Sequence, residues 1–112
     1  MCLFCKIAAK QIPAKILFED DELVAFHDVN PVAPTHVLVI PKAHVASLGD
    51  AAPEHAALLG KLMLAATRAA ELTGVAQGGY RVVANTGANA GQSVFHLHLH
   101  VLGGRAMGWP PG

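Results

Sequence analysis

Apolar positions mark out the elements before any single residue is considered. Leu58, Leu59, Leu62, Met63, Ala66, Ala69, Ala70 and Leu72 recur at three- and four-residue steps, the stripe of one helix face. Asp50 stands where an N-cap is expected, Pro53 suits a first turn, and Gly74 offers a C-terminal stop. A shorter helix is expected over residues 4–12, with Phe4, Ile7, Ala8 and Ile12 on one side and Pro13 ending it. Short apolar runs predict strands at 15–19 and 23–27, parted by the turn Asp20-Asp21. Beyond the breaks at Pro31 and Pro34, His36-Val37-Leu38-Val39-Ile40 reads as a central strand closed by Pro41. Two further strands are expected at 80–84 and 94–102, separated by a Gly/Asn/Ser loop over 85–93. One short helix, three strands, a long helix and two strands make an α+β domain with a five-stranded, mainly antiparallel sheet.

A chain of 112 residues fits a single domain, 1–112, that buries only about two-thirds of its unfolded surface. Hydrophobic residues make up 53% and charged residues 14%. That excess of apolar side chains is more than so small a core can hide, which points to a covered subunit interface. Eight basic residues balance eight acidic ones without a basic stripe, so no nucleic-acid partner is expected. No apolar run approaches the ~20 residues of a membrane helix, so no membrane partner is expected either. The N-terminus lacks the charged-then-apolar layout of a signal peptide, and a cytoplasmic location is the expectation.

Seven histidines change the picture, because His96, His98 and His100 fall within five positions. In an extended strand these three share one face, about 6.5–7 Å apart, while Leu97, Leu99 and Val101 share the other. The apolar set packs into a core and leaves the imidazoles facing a cleft. This pattern suits metal chelation, and equally a histidine nucleophile, since a neutral imidazole attacks well near pH 7. The preceding loop, with Asn85, Gly87, Gly91, Gln92 and Ser93, lets backbone N–H groups approach a phosphate closely. His27 and His55 are read as ordinary surface or helix residues.

These residues carry a family resemblance. His96-Leu97-His98-Leu99-His100-Val101-Leu102 resembles the signature of the histidine triad (HIT) superfamily. The likeness extends over nearly the whole chain, through Phe4-Cys5-Lys6-Ile7, Ile12-Pro13-Ala14-Lys15, Phe18-Glu19-Asp20-Asp21, Ala25-Phe26-His27-Asp28 and the stretch Ala33 to His44. The tail, with Gly103-Gly104-Arg105, Met107 and Trp109-Pro110-Pro111-Gly112, resembles the HINT branch. The resemblance implies a HIT-like fold whose sheet extends across a two-fold homodimer, with the tail 103–112 reaching the partner subunit. It implies a purine nucleoside phosphoramidase that releases a nucleoside monophosphate such as AMP through a nucleotidyl-histidine intermediate. On that pattern His98 is the nucleophile, His36, His96 and His100 complete the histidine set, and Ser93 stands with His100 near the phosphate and the leaving nitrogen. Asp28 and Val29 match the ribose site, and Leu3, Phe4, Ile7, Ile12 and Phe26 match the pocket around the base. Asn85, Gly91, Gln92 and Ser93 match the phosphate site, and Trp109 matches a tail residue directed at the partner's site.

No cofactor is required for such chemistry. Cys2 and Cys5 nevertheless form a Cys-x-x-Cys pair that, without an export signal, suits a redox or metal role better than a disulfide. In related proteins such a pair joins two histidines around structural zinc, and the matching positions here are His44 and His96. Other functions fit the triad as well: a dinucleoside polyphosphate hydrolase or nucleotidyltransferase of the same superfamily, a non-enzymatic nucleotide- or zinc-binding interaction module, or a metal-dependent hydrolase. The HINT-like tail disfavours the first, and the intact Ser93, His96, His98 and His100 disfavour a dead site.

Overall fold

A computed structural model describes residues 2–112. In chain order it contains helix α1 (Leu3–Ala8), strands β1 (Ile16–Glu19), β2 (Leu23–His27) and β3 (Thr35–Pro41), helix α2 (Ala56–Leu72), and strands β4 (Tyr80–Val83) and β5 (Leu99–Gly103). The strands form one antiparallel sheet in the order β1-β2-β3-β5-β4, so the sheet is as the sequence pattern predicts and the histidine-bearing strand lies inside it.

Strand alternation gives the sheet two unlike faces. Leu23, Ala25, Val37, Val39, Leu99 and Val101 face α2, which meets them with Leu62, Ala65, Ala66, Ala69 and Ala70. The four alanines let the helix backbone sit close to the sheet. On the opposite face Val24, Phe26, Leu38 and Ile40 pack against Phe4 and Ile7 of α1. α1 has six residues and covers only part of that face. The remainder is left for a site. Among the described residues no helix is long and apolar enough to cross a membrane.

Three boundaries differ from expectation by more than one residue, each for a local reason. α1 stops at Ala8 because Lys10 takes a left-handed conformation, φ 62°. Its N–H bonds Ile7 O at 3.0 Å and the Gln11 N–H bonds Lys6 O at 2.8 Å, a double cap that a lysine rarely signals. α2 starts at Ala56, and Asp50 is not its N-cap. The Asp50 carboxylate accepts from the Ser47 hydroxyl at 2.7 Å, and the His55 ring accepts the Ala52 N–H at 2.8 Å in a 3-10 turn over Pro53–His55. β5 begins at Leu99 rather than residue 94. Pro41 has no N–H to offer a longer ladder, and the Leu97 N–H turns to Val45 O at 2.6 Å. The alternation nevertheless survives in the unpaired segment: Leu97 joins the α2 side of the core, and His98 the other.

The end of β5 has no room for a side chain. A Cβ on Gly103 would lie 2.7 Å from Val75 Cβ, whereas one on exposed Gly60 of α2 meets nothing within 4 Å. Gly103→Ala is expected to cost about 1–3 kcal/mol by overpacking. Gly60→Ala should instead gain up to about 1 kcal/mol of helix propensity. Urea unfolding of both variants reads the contrast; equal effects would contradict this packing.

Candidate active site

The uncovered part of the second sheet face is a cavity of about 510 Å³, within the range of small-ligand sites. One end is apolar, built by Leu3, Phe4 and Ile7 of α1, Ile12 after it, and Phe26 and Leu38 of the sheet. Phe4 stands edge-on to Phe26 at 5.6 Å between centroids and edge-on to His98 at 5.1 Å. The other end is polar, with Asp28, His36, Ser93, His98 and His100. His98 sits where the two ends meet.

The hydrogen bonds around the histidines assign a proton to each ring. Burial lowers the pKa of His36 despite the nearby Asp28 carboxylate. Burial lowers that of His96 despite its bond to Pro41. His100 is pushed down to about 4 by burial and then by His98 and His36. These three rings are therefore neutral at pH 7, each with one N–H. The Val32 N–H donates to His36 Nδ1 at 3.1 Å, which puts the His36 proton on Nε2. That Nε2–H donates to His100 Nδ1 at 2.8 Å, with Asp28 Oδ2 3.4 Å away. His100 then carries its proton on Nε2. His98 Nδ1–H donates to the His96 carbonyl at 2.7 Å, which leaves the lone pair on Nε2. Every buried side-chain nitrogen and oxygen among the described residues has a partner. The Nε2 atoms of His98 and His100 bond to none of them, so both reach the cavity that their rings line. A nucleophilic nitrogen and an N–H donor thus stand side by side, on rings 4.9 Å apart.

Two clusters have metal-like composition, and their distances separate them. Zinc with two sulfur and two nitrogen ligands places S and N about 3.6 Å apart and the two N about 3.4 Å apart. Cys2 Sγ lies 3.6 Å from His44 Nδ1 and 3.3 Å from His96 Nδ1. Cys5 Sγ lies 3.3 and 3.4 Å from the same atoms, which are 3.2 Å from each other. The surroundings fit as well. The Cys5 N–H donates to Cys2 Sγ at 3.2 Å, and His96 Nε2–H donates to Pro41 O at 2.7 Å, the outer contacts that orient metal ligands. Asp28, His36 and His100 differ: the 2.8 Å separation of their ring nitrogens is a hydrogen bond, and too short for two ligands of one ion.

Some expected site residues lie elsewhere. Asn85, Gly91, Gln92 and Trp109 do not line the cavity. The Gln92 side chain is spent inside the protein, accepting the Gly87 N–H at 2.9 Å and donating to Ala46 O and Val94 O at 2.8 and 3.2 Å. It ties the glycine-rich loop to its neighbours. Trp109 is 82% exposed beside the Arg81 guanidinium. The cavity also takes in Pro13, Ala14, His27, Asn30, Val32 and Val94, which sequence reasoning passed over. Val32 acts on His36 through its backbone N–H, which no residue type announces.

The depressed His100 sets a pH response. The folded protein resists a proton that the unfolded chain binds below about pH 6.5. Its contribution to stability is full above that value and is lost as the pH falls toward about 4. Nitrogen-detected NMR should show His100 as the Nε2–H tautomer at pH 7, gaining a second proton only near pH 4. A midpoint near 6.5 would contradict the burial argument.

Comparison with known proteins agrees with this geometry. Residues 9–107 match the HIT domain family. The chain is 54% identical to protein HitA of Neisseria gonorrhoeae over 102 residues, which is 91% of this chain and 94% of that protein. It is 42% identical to the purine nucleoside phosphoramidase of Escherichia coli K12, covering 95% and 89% of the two chains. The crystal structure of a HIT family hydrolase from Legionella pneumophila superimposes with a TM-score of 0.98 at 48% identity over the full length of both chains. With the triad, the fold and these relatives in agreement, the chain belongs to the HIT family, in its HINT-like branch.

Proposed function

We propose that this protein hydrolyses the P–N bond of purine nucleoside phosphoramidates, forming a nucleoside monophosphate and an amine through a nucleotidyl intermediate on His98. The observation that carries this reading is the His98 ring itself. Its Nδ1–H is held by the His96 carbonyl at 2.7 Å, so its Nε2 lone pair is presented between an apolar and a polar half-cavity. The naming of the Escherichia coli relative as a purine nucleoside phosphoramidase supports the choice of substrate.

The base lies between Leu3, Phe4, Ile7, Ile12 and Phe26. Asp28 accepts the ribose hydroxyls; its Oδ1 already holds the Asn30 N–H at 2.8 Å, which fixes the carboxylate. Val29, 87% exposed, flanks the sugar. Ser93 lines the phosphate end of the cavity, and the loop bearing Asn85, Gly91 and Gln92 holds it there, its own Gly91 and Gln92 N–H groups bonded to Ala88 O and Gly87 O. His98 Nε2 attacks phosphorus, and the P–N bond breaks. His100 Nε2–H and Ser93 stabilise the phosphoryl oxygens and supply a proton to the amine, which would otherwise leave as an anion. Water then attacks the phosphorus and gives up a proton that restores the donor of the first step, the bond to His98 breaks, and the ring regains its lone pair. Neither step calls for a metal. A zinc ion held by Cys2, Cys5, His44 and His96 supplies a structural cross-link. Two cysteines outside any disulfide suit a reducing, cytoplasmic compartment.

The partners follow from surface features. β4 is a sheet edge, and an unpaired edge invites a second copy to extend the sheet. The exposed Trp109 ring in the tail 103–112 suits contact with that partner's cavity.

Wild-type protein incubated with a saturating concentration of an adenosine phosphoramidate, with and without chelator, should release AMP at equal rates. His98→Ala should lower the rate about a thousandfold or more, as removal of a covalent nucleophile does. Release that survives His98→Ala would overturn the assignment, and loss on chelation would point to metal-dependent hydrolysis instead.

A further inference from the structure

The four-residue Cys/His cluster and the base end of the cavity share one element. α1 has six residues, too few to hold a helix by propensity alone. Its N-cap is Cys2, and one turn on it carries Cys5. These two sulfurs lie within 3.6 Å of the ring nitrogens of His44, on the segment after β3, and His96, before β5. The other side of the same helix presents Leu3, Phe4 and Ile7 to the cavity. The helix therefore has two attachments: apolar contact through Phe4 and Ile7, and the cluster through both cysteines.

His96 is attached differently. It is fully buried, its Nε2–H holds Pro41 O, and the next residue's N–H holds Val45 O. None of those bonds involves α1 or an ion. The carbonyl that orients His98 thus keeps its place whether or not the cluster is filled, while α1 has no comparable backbone bond to the sheet.

We propose that a divalent ion of the zinc type, bound by Cys2, Cys5, His44 and His96, is a latch on α1 that sets how tightly the base is held, with little effect on the attacking histidine. The proposal rests on reading the four residues as a metal site. In this account Cys2, Cys5 and His44 are positioning residues for Leu3, Phe4 and Ile7. The ion's contribution appears in nucleotide binding and in KM, and hardly in kcat, because it holds a wall that touches the base in ground and transition states alike.

The test uses the whole protein with three variants. His44 is exposed and lies outside α1, so His44→Ala removes a ligand without disturbing the helix. Cys5→Ser removes one from the helix, and His44→Cys restores a four-ligand set of a type that binds zinc. Zinc per chain is measured by elemental mass spectrometry, α1 stability by hydrogen exchange of residues 3–12, and affinity by calorimetry with AMP. Wild type should hold close to one zinc per chain. His44→Ala and Cys5→Ser should lose it, exchange about tenfold or more faster across 3–12 but not across 96–101, and bind AMP about tenfold more weakly. His44→Cys should restore all three. Loss of zinc with unchanged exchange and AMP affinity would overturn the latch while leaving the metal site standing. Loss of zinc that lowered kcat and spared AMP affinity would place the ion's effect on His98 and overturn it also. No zinc in wild type, even after zinc is added, would remove both. If no phosphoramidate were hydrolysed at all, exchange and AMP affinity would still decide the question.

Discussion

The site hangs on one buried histidine that leaves the sheet. His96 has no exposed surface, and each of its polar groups has a separate task. Nε2–H holds Pro41 O, the backbone carbonyl holds His98 Nδ1–H, and Nδ1 faces Cys2, Cys5 and His44. A buried polar group is costly when unpaired. Here the pairing itself fixes the neighbouring His98 ring. The 2.7 Å bond from His98 to the His96 carbonyl selects the tautomer with Nε2 free. The chain bends over residues 94–96 and joins the ladder only at Leu99, and Pro41 opposite has no N–H to offer a longer ladder.

The same burial governs the remaining rings. His36 and His100 lie in the low-dielectric face of the sheet, which disfavours their charged forms. Neutral rings need one donor and one acceptor each, so a chain of bonds from Val32 N–H through His36 to His100 becomes directional. Its outcome is an N–H on His100 beside a lone pair on His98. A protonated His100 would lose the acceptor that receives His36. The order of the neutral His36 and His100 rings is thus set from a backbone amide more than 60 positions from His100 in the chain.

Much of this was legible in the sequence, because periodicity reports burial directly. The alternation at 96–101 located both the core side chains and the cavity side chains, and the central strand before Pro41 was correctly placed. The cysteine pair and its two histidines were legible only through resemblance; no spacing rule joins positions 2, 5, 44 and 96. What escaped was governed by backbone groups. The double cap at Lys10, the His55 ring capping a 3-10 turn where Asp50 seemed the natural cap, and the Val32 amide all depend on main-chain geometry. Gln92 looked like a phosphate ligand by type, whereas three hydrogen bonds give its side chain a structural task.

The central claim is that His98 Nε2 bonds to phosphorus. Rapid base quench of wild-type protein mixed with excess adenosine phosphoramidate, followed by intact-mass and peptide mapping at alkaline pH, tests it most directly. The account predicts a transient, acid-labile adduct of one adenylyl group per chain, located on His98. Turnover with no adduct at any quench time, or an adduct on another residue, would contradict it.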